Sequence, residues 1–276
     1  MIPSHLIKWC LSVVFLLLFQ GAMAKDLVLT APPREKPEAG QKLYGPIAIH
    51  LSKLLGQKVV YEHPKNWLNY QHAMRNDKFD IVFDGPHFIS WRMAHLGHDV
   101  LVKLPGKLGF FLVAGKDDNE ILRTKDLVGK KICGISPPNL STLSVIAAYP
   151  NPVQQPVIKG IKGGMRAVEK AYLSGVCRAA VFRDAFFKKK LEASTREKVK
   201  IIYRSNPLPN QGISASKRLT DRQKSLIVQS FTQGDGIKVS NGLLRRFGGK
   251  AKKFKKATTS EYLGHNLLLE GVIFGW

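Results

Sequence analysis

The stretch ISPPNLSTLSVIAAY, Ile135 to Tyr149, places two prolines and an asparagine before a Ser-Thr pair, and an apolar run at helical spacing follows. The first turn of a helix leaves backbone N–H groups unpaired and carries partial positive charge. The hydroxyls of Ser141 and Thr142 beside those N–H groups can donate to an oxyanion. The same residue types also serve simple capping, with Asn139 or Ser141 as the cap. A second candidate is DGPHF, Asp84 to Phe88. There Gly85 admits a ligand close to the backbone, Pro86 suits the first helical position and His87 can donate to a ligand. Asp84 can orient donors or meet a cationic group. A third is the pair Arg183 and Asp184, since the planar fork of arginine matches phosphate-like oxyanions. Trp67, just before a helix, can wall a cleft against an apolar substituent.

Signatures of catalysis are missing: the chain has no G-x-S-x-G, no H-E-x-x-H, no phosphate-cradling glycine loop and no dinucleotide fingerprint. His63, His72, His87, His95 and His98 cluster, yet their spacings fit neither a helical zinc pair nor a nucleophile and base. Neither a metal nor a cofactor is therefore expected. Cys133 and Cys177 have no nearby histidine partners, and in an oxidising compartment a disulfide between them is favoured.

The elements that must position these groups alternate. DLVLTA reads as a buried strand and PPREKPEAG as the loop leaving it. Leu43, Ile47, Leu51, Leu54 and Leu55 recur at spacings of three and four, which predicts a helix from Gln41 to Leu55 stopped by Gly56. KVVYE, a helix near 66–76 and FDIVFDG complete a βαβ series, and a second series begins with ILRTKDLVGKKICGIS and runs on to Ser205. FDIVFDGPHF and RAAVFRDAFF echo one another: an apolar strand, a charged turn, then a helix with phenylalanine at its start. One copy lies in each series, which predicts two similar lobes. Ligands of open α/β sheets bind outside the carboxyl ends of the strands, and all three candidate stretches fall there. NPLPNQG, 206–212, reads as a crossover.

The 276-residue chain is 44% hydrophobic and 23% charged, as a globular fold requires, with a net charge of +23. Its first 24 residues have a basic start at Lys8, an apolar run from Cys10 to Phe19 and GAMA before Lys25. This predicts a secretory leader cleaved near Ala24, and hence an exported, periplasmic protein. The run is shorter than the roughly 20 residues of a membrane span. So basic a surface attracts something acidic: an anionic ligand, anionic lipid, envelope polymer or nucleic acid. The densest basic patch, GGKAKKFKKA, reads first as a solvated face, with contact between residues 250–256 and an anionic envelope surface as the alternative. No helix-turn-helix, zinc-finger or RNA-binding aromatic motif accompanies it, which argues against nucleic acid.

Together YGPIAIHLSKLLGQKVVYE, FDIVFDGPHF, LRTKDLVGKKICGISPPNLST and LSGVCRAAVFRD make the chain resemble the phosphonate/phosphite-type substrate-binding proteins of ABC importers. The resemblance implies an α/β, type II-like periplasmic-binding-protein fold of two lobes, each a mixed sheet flanked by helices, with two hinge crossings. Lobe one would be residues 25–113 plus 210–276 and lobe two 114–209, closing about the hinge on ligand. The family's helix start that grips phosphonate oxygens falls on Pro138-Asn139-Leu140-Ser141-Thr142, with Leu140 where a hydroxyl residue often sits. Its aromatic before the second helix falls on Trp67. A tyrosine that approaches the ligand in the family aligns near Leu108 and is absent, and a histidine is replaced by Gly163-Gly164. The oxyanion grip carries over, then, while amino-phosphonate specificity does not.

The expectation is an extracytoplasmic, monomeric binding protein that captures a small oxyanion between its lobes for an ABC permease and catalyses nothing. Two other classes stay open: a ligand-sensing subunit for a membrane receptor, and an enzyme using His87 and Asp84 as acid and base.

Overall fold

The computed structural model describes residues 25–270. The expected leader, 1–24, and the last part of the C-terminal apolar segment, 271–276, lie outside the described residues. Two sheets carry the fold. The first contains β1 (Leu27–Thr30), β2 (Val59–Glu62), β3 (Ile81–Asp84), β4 (Asp99–Lys103), β12 (Gly212–Ala215) and β13 (Lys255–Lys256). Their order is β13-β4-β12-β3-β1-β2. β1 runs parallel to β2 and β3, as βαβ units dictate, but β12 enters antiparallel between β3 and β4.

The second sheet contains β6 (Phe110–Gly115), β7 (Lys131–Ile135), β8 (Val157–Ile161), β9 (Ala179–Arg183) and β10 (Val199–Arg204) in the order β10-β6-β9-β7-β8. Here β7 is parallel to β8 and β9, and β6 is antiparallel to β9 and β10. Between the sheets the chain crosses twice, at β5 (Lys107–Leu108) and at β11 (Leu208–Pro209). The two crossings pair with each other, Leu208 opposite Leu108 and Pro209 opposite Lys107. The return crossing ends at Pro209, and after the outward crossing Phe110 to Val113 already pair with β9.

The first long helix shows how local signals set the bounds. Tyr44, Ile47, Ala48 and Leu51 form its buried face against β1 and β3. Burying a side chain such as Leu51 contributes about 1.5–3 kcal/mol. The helix runs Pro37–Leu55, four residues earlier than the apolar periodicity indicates, because Pro37 suits a first-turn position and Lys36 is extended. Gly56 ends it in the left-handed region at φ 63°. A further core, with Tyr70, Phe88, Trp91, Leu143 and Leu269, joins helices from both lobes.

The basic run at 248–257 is more than a solvated face. Phe254 is fully buried in the first core, edge-on to Phe231 at 5.7 Å, and Lys255–Lys256 pair with the outer edge of β4. The lysines point outward, and edge lysines discourage sheet-to-sheet association. Among the described residues, no helix is long and apolar enough to cross a membrane.

In the second lobe Cys133 and Cys177 are joined as a buried disulfide, with Cα atoms 5.7 Å apart and a sequence separation of 44. A loop of this size is typically stabilised by about 2–4 kcal/mol. The C133A/C177A variant is accordingly expected to unfold at a clearly lower urea midpoint than the oxidised parent.

Candidate functional site

A cavity of about 160 Å³ lies where strand ends from the two sheets face each other. From the first lobe come Arg34 on the loop after β1, Trp67, and the turn Asp84–Phe88 after β3. From the second come Ile135, Pro138, Asn139, Leu140, Met165 and Arg183, with Leu108 and Gln211 at the crossings. Arg34, Trp67, Ile135 and Asn139 also border a wider cleft of about 640 Å³, where Gly163 and Gly164 lie.

Asp84 is fully buried, and its carboxylate is occupied. Nη1 of Arg92 donates to Oδ2 at 2.5 Å, the hydroxyl of Tyr70 donates to the same oxygen, and Nη2 of Arg92 donates to Tyr70 at 2.7 Å. Oδ1 accepts from the backbone N–H of Gly85 at 2.9 Å. Burial pushes this carboxyl up, and the Arg92 guanidinium opposes it. Asp84 therefore holds the turn in place and offers no free oxygen to a ligand. Gly85 has a steric reason to be glycine, since a Cβ there would come within 2.7 Å of Cε1 of His87. Pro86 opens the following helix, Pro86–Leu96.

His87 is 4% exposed. Its Nε2 lies 3.2 Å from the carbonyl oxygen of Pro138 in the other lobe, and its Nδ1 is buried without a partner. Burial depresses its pKa to about 3, with Arg34 and Arg92 adding to the effect against the Pro138 hydrogen bond. Its one donor is thus already in use.

The helix Leu140–Ile146 starts on a cap. Oδ1 of Asn139 accepts from the Ser141 backbone N–H at 3.0 Å and from the Ser141 hydroxyl at 2.7 Å. The Thr142 hydroxyl donates to the carbonyl of Ile135 at 2.6 Å. Both residues are fully buried behind the cavity wall, whose surface on this side is Pro138, Asn139 and Leu140. Trp67 stands at the start of a helix capped by Asn66 and stacks on Phe88 at 6.1 Å.

Arg183 reaches the cavity from the end of β9, with Nε buried and unpartnered, and burial holds its pKa below the ordinary value. Its neighbour Asp184 turns away: Oδ1 accepts from the Ala185 N–H at 2.6 Å, and Lys188 lies 3.7 Å from Oδ2. Facing Arg183 is a residue the sequence reading passed over. Nη1 of Arg34 donates to Oε1 of Gln211 at 3.0 Å, while its Nε and Nη2 are buried without acceptors. Its guanidinium lies over the Phe247 ring at 4.8 Å. The signal was there, because Arg34 follows a strand's carboxyl end as Asp84 and Arg183 do.

Two α/β lobes joined by paired crossings, with a cationic cavity between them, define the two-lobe periplasmic-binding-protein class. The chain belongs to the family described as the periplasmic substrate-binding protein of the phosphonate ABC transporter, whose model matches residues 29–262. Proteins of this family are extracytoplasmic binding proteins that deliver a small molecule to a permease, and they are not enzymes.

Solved structures share the fold. A Xanthomonas citri protein bound to ATP matches with a TM-score of 0.71 at 9% identity, covering 90% of this chain and 98% of its own. A Prochlorococcus marinus protein, PhnD1, in complex with methylphosphonate gives 0.62 at 17%, covering 90% and 99%. A binding component of an ABC phosphonate transporter from Pseudomonas aeruginosa gives 0.58 at 16%, covering 88% and 85%. Among curated proteins no sequence matches.

Proposed function

We propose that this protein captures a small tetrahedral oxyanion, of phosphonate, phosphite or phosphate type, between its lobes for an ABC importer. The observation that carries this reading is a pair of guanidinium groups, Arg34 and Arg183, from opposite lobes. Both residues line one cavity, Nε of Arg183 and Nε and Nη2 of Arg34 are buried without acceptors, and among the described residues the one acid lining the cavity is bound to Arg92. Buried donors without acceptors are costly unless a ligand supplies the acceptors, and arginine forks fit phosphorus oxyanions. The Asn139 amide NH₂ adds a donor, since only its Oδ1 serves as the cap.

Size supports the same class. A cavity of about 160 Å³ is comparable with the roughly 150 Å³ that takes up benzene, so this part of the cleft suits a small ligand. Trp67, Phe88, Leu108 and Phe110 suit an alkyl substituent on the anion. A free amino acid fits poorly, because its ammonium would find no unoccupied carboxylate. The same reading takes the chain as a monomer whose exposed lysines at 250–256 face the anionic envelope.

The test is calorimetric titration and thermal shift with phosphate, phosphite, methylphosphonate, sulfate and arginine. One phosphorus oxyanion at about 100 times its dissociation constant should stabilise the protein by about 2.7 kcal/mol. Arg34→Met and Arg183→Met should each weaken that binding roughly a hundredfold, the worth of a charge-assisted hydrogen-bonded contact. Silence with every phosphorus oxyanion, or saturation by arginine alone, would reject the proposal.

A further inference from the structure

The side-chain acceptors around the cavity are already bonded, Asp84 to Arg92 and Tyr70, Oδ1 of Asn139 to Ser141 and Oε1 of Gln211 to Arg34, and Nδ1 of His87 is the exception. A carbonyl oxygen can only accept, so the 3.2 Å contact from Nε2 to Pro138 places a hydrogen on Nε2. In a neutral ring this leaves Nδ1 as a lone-pair acceptor, buried and without a protein partner. The ring is held there, 4.2 Å from that of Phe88 and folded back on Gly85, where a Cβ would come within 2.9 Å of Nδ1.

We infer that His87 Nδ1 is a specificity element that accepts a hydrogen from the ligand, so the site selects oxyanions that still carry a proton. This rests on the oxyanion reading above and adds the ligand's protonation state to it. A monoprotonated phosphonate or phosphate, with one P–OH and charge on its other oxygens, satisfies both sides. The charged oxygens take the N–H groups of Arg34 and Arg183, and the hydroxyl donates to Nδ1. A sulfonate of the same shape and charge has no hydrogen to give, and places an oxygen lone pair against the lone pair of His87. A fully ionised phosphonate does the same.

The groups facing His87 do not blur this selection. Arg34 on the β1 loop, Arg92 on its own helix and Arg183 across the cavity stay charged. Asp84 is paired with Arg92. His265, on the C-terminal segment, has its pKa lowered by burial. The ring of His87 itself is neutral at any pH well above about 3. Above neutrality, the proton that is lost is therefore the ligand's own.

The experiment titrates the mature protein with methylphosphonate and with methanesulfonate, at pH values on either side of the second ionisation of methylphosphonate. Methylphosphonate is expected to bind roughly ten- to a hundredfold more tightly than methanesulfonate, the worth of a buried acceptor left unpaired. Its affinity should fall about tenfold per pH unit once the dianion predominates. His87→Leu should close the gap between the two anions and flatten the pH profile.

Equal affinity for both anions, lost for both in Arg34→Met, would overturn the role of His87 and leave the oxyanion reading standing. Tighter binding as methylphosphonate loses its last proton would also overturn it. If neither these anions nor phosphate or phosphite binds, the oxyanion reading fails and the role of His87 fails with it. The wild-type comparison decides the matter even if His87→Leu does not fold.

Discussion

Acidification is expected to destabilise this protein steeply, by about 5 kcal/mol between pH 6.5 and roughly pH 4.5. Two histidines carry the effect. His87 and His98 are 4% and 3% exposed, and their pKa values fall from 6.5 to about 3 and about 2. For His98 the cause is first burial, then the nearby charges of Arg92, Arg218 and Lys224. Its closest carboxylate oxygen, Oδ1 of Asp77, is 3.5 Å away. Both folded-state values are depressed, so the unfolded chain binds more protons below pH 6.5. The contribution is fully present above that pH and is lost as pH falls toward the folded values. Each ring contributes about 1.4 kcal/mol per pH unit in this window. Asp84, with its raised pKa, acts in the opposite direction. Urea midpoints measured across the range test this, and His98→Leu should remove about half of the slope. A flat profile would show that one or both rings take up protons in the folded state.

Arg92→Leu is expected to cost about 3–5 kcal/mol, the usual result of leaving one charge of a buried pair without its partner. Arg92 and Asp84 have side-chain exposures of 1% and 0%, so no solvent replaces the lost guanidinium. Tyr70 would remain as a side-chain donor to the carboxylate. Removing Asp84 as well should recover much of the loss, because a buried ion pair exchanged for apolar groups is often nearly neutral. Chemical denaturation of the two variants separates these outcomes. A double variant no more stable than Arg92→Leu would mean that the arginine acts through packing instead. The single variant should also disturb ligand binding, since Asp84 fixes Gly85 and, with it, the fold-back of His87.

Strand ends were the most legible part of the site. Ile81–Asp84 and Ala179–Arg183 stand out because an apolar run meets a charged turn, and the turn lies where α/β sheets bind ligands. Arg34 escaped because PPREKP carries three prolines, and that loop signal concealed both the arginine and the start of the helix at Pro37. The Ser-Thr pair illustrates a different limit. Residue types that serve an oxyanion also serve a cap, and direction decides between them. Here the hydroxyls point to Asn139 and Ile135, which no local pattern specifies. Asp84 was ambiguous for a related reason, since Arg92 reaches back to it from two turns along the next helix. β12 and β13 were harder still. β13 is two residues in a lysine run, and only its pairing with β4 makes it a strand.

The pairing of Leu108 with Leu208 and of Lys107 with Pro209 has a mechanical meaning. Two separate tethers would let the lobes twist and slide independently. Bonded side by side, they act as a ribbon, which flexes across its flat face far more easily than it shears in its plane. An opening of the lobes would then follow a single swinging coordinate, along which Arg34 and Arg183 would separate or converge together, and the proposed anion would meet both as one jaw closed.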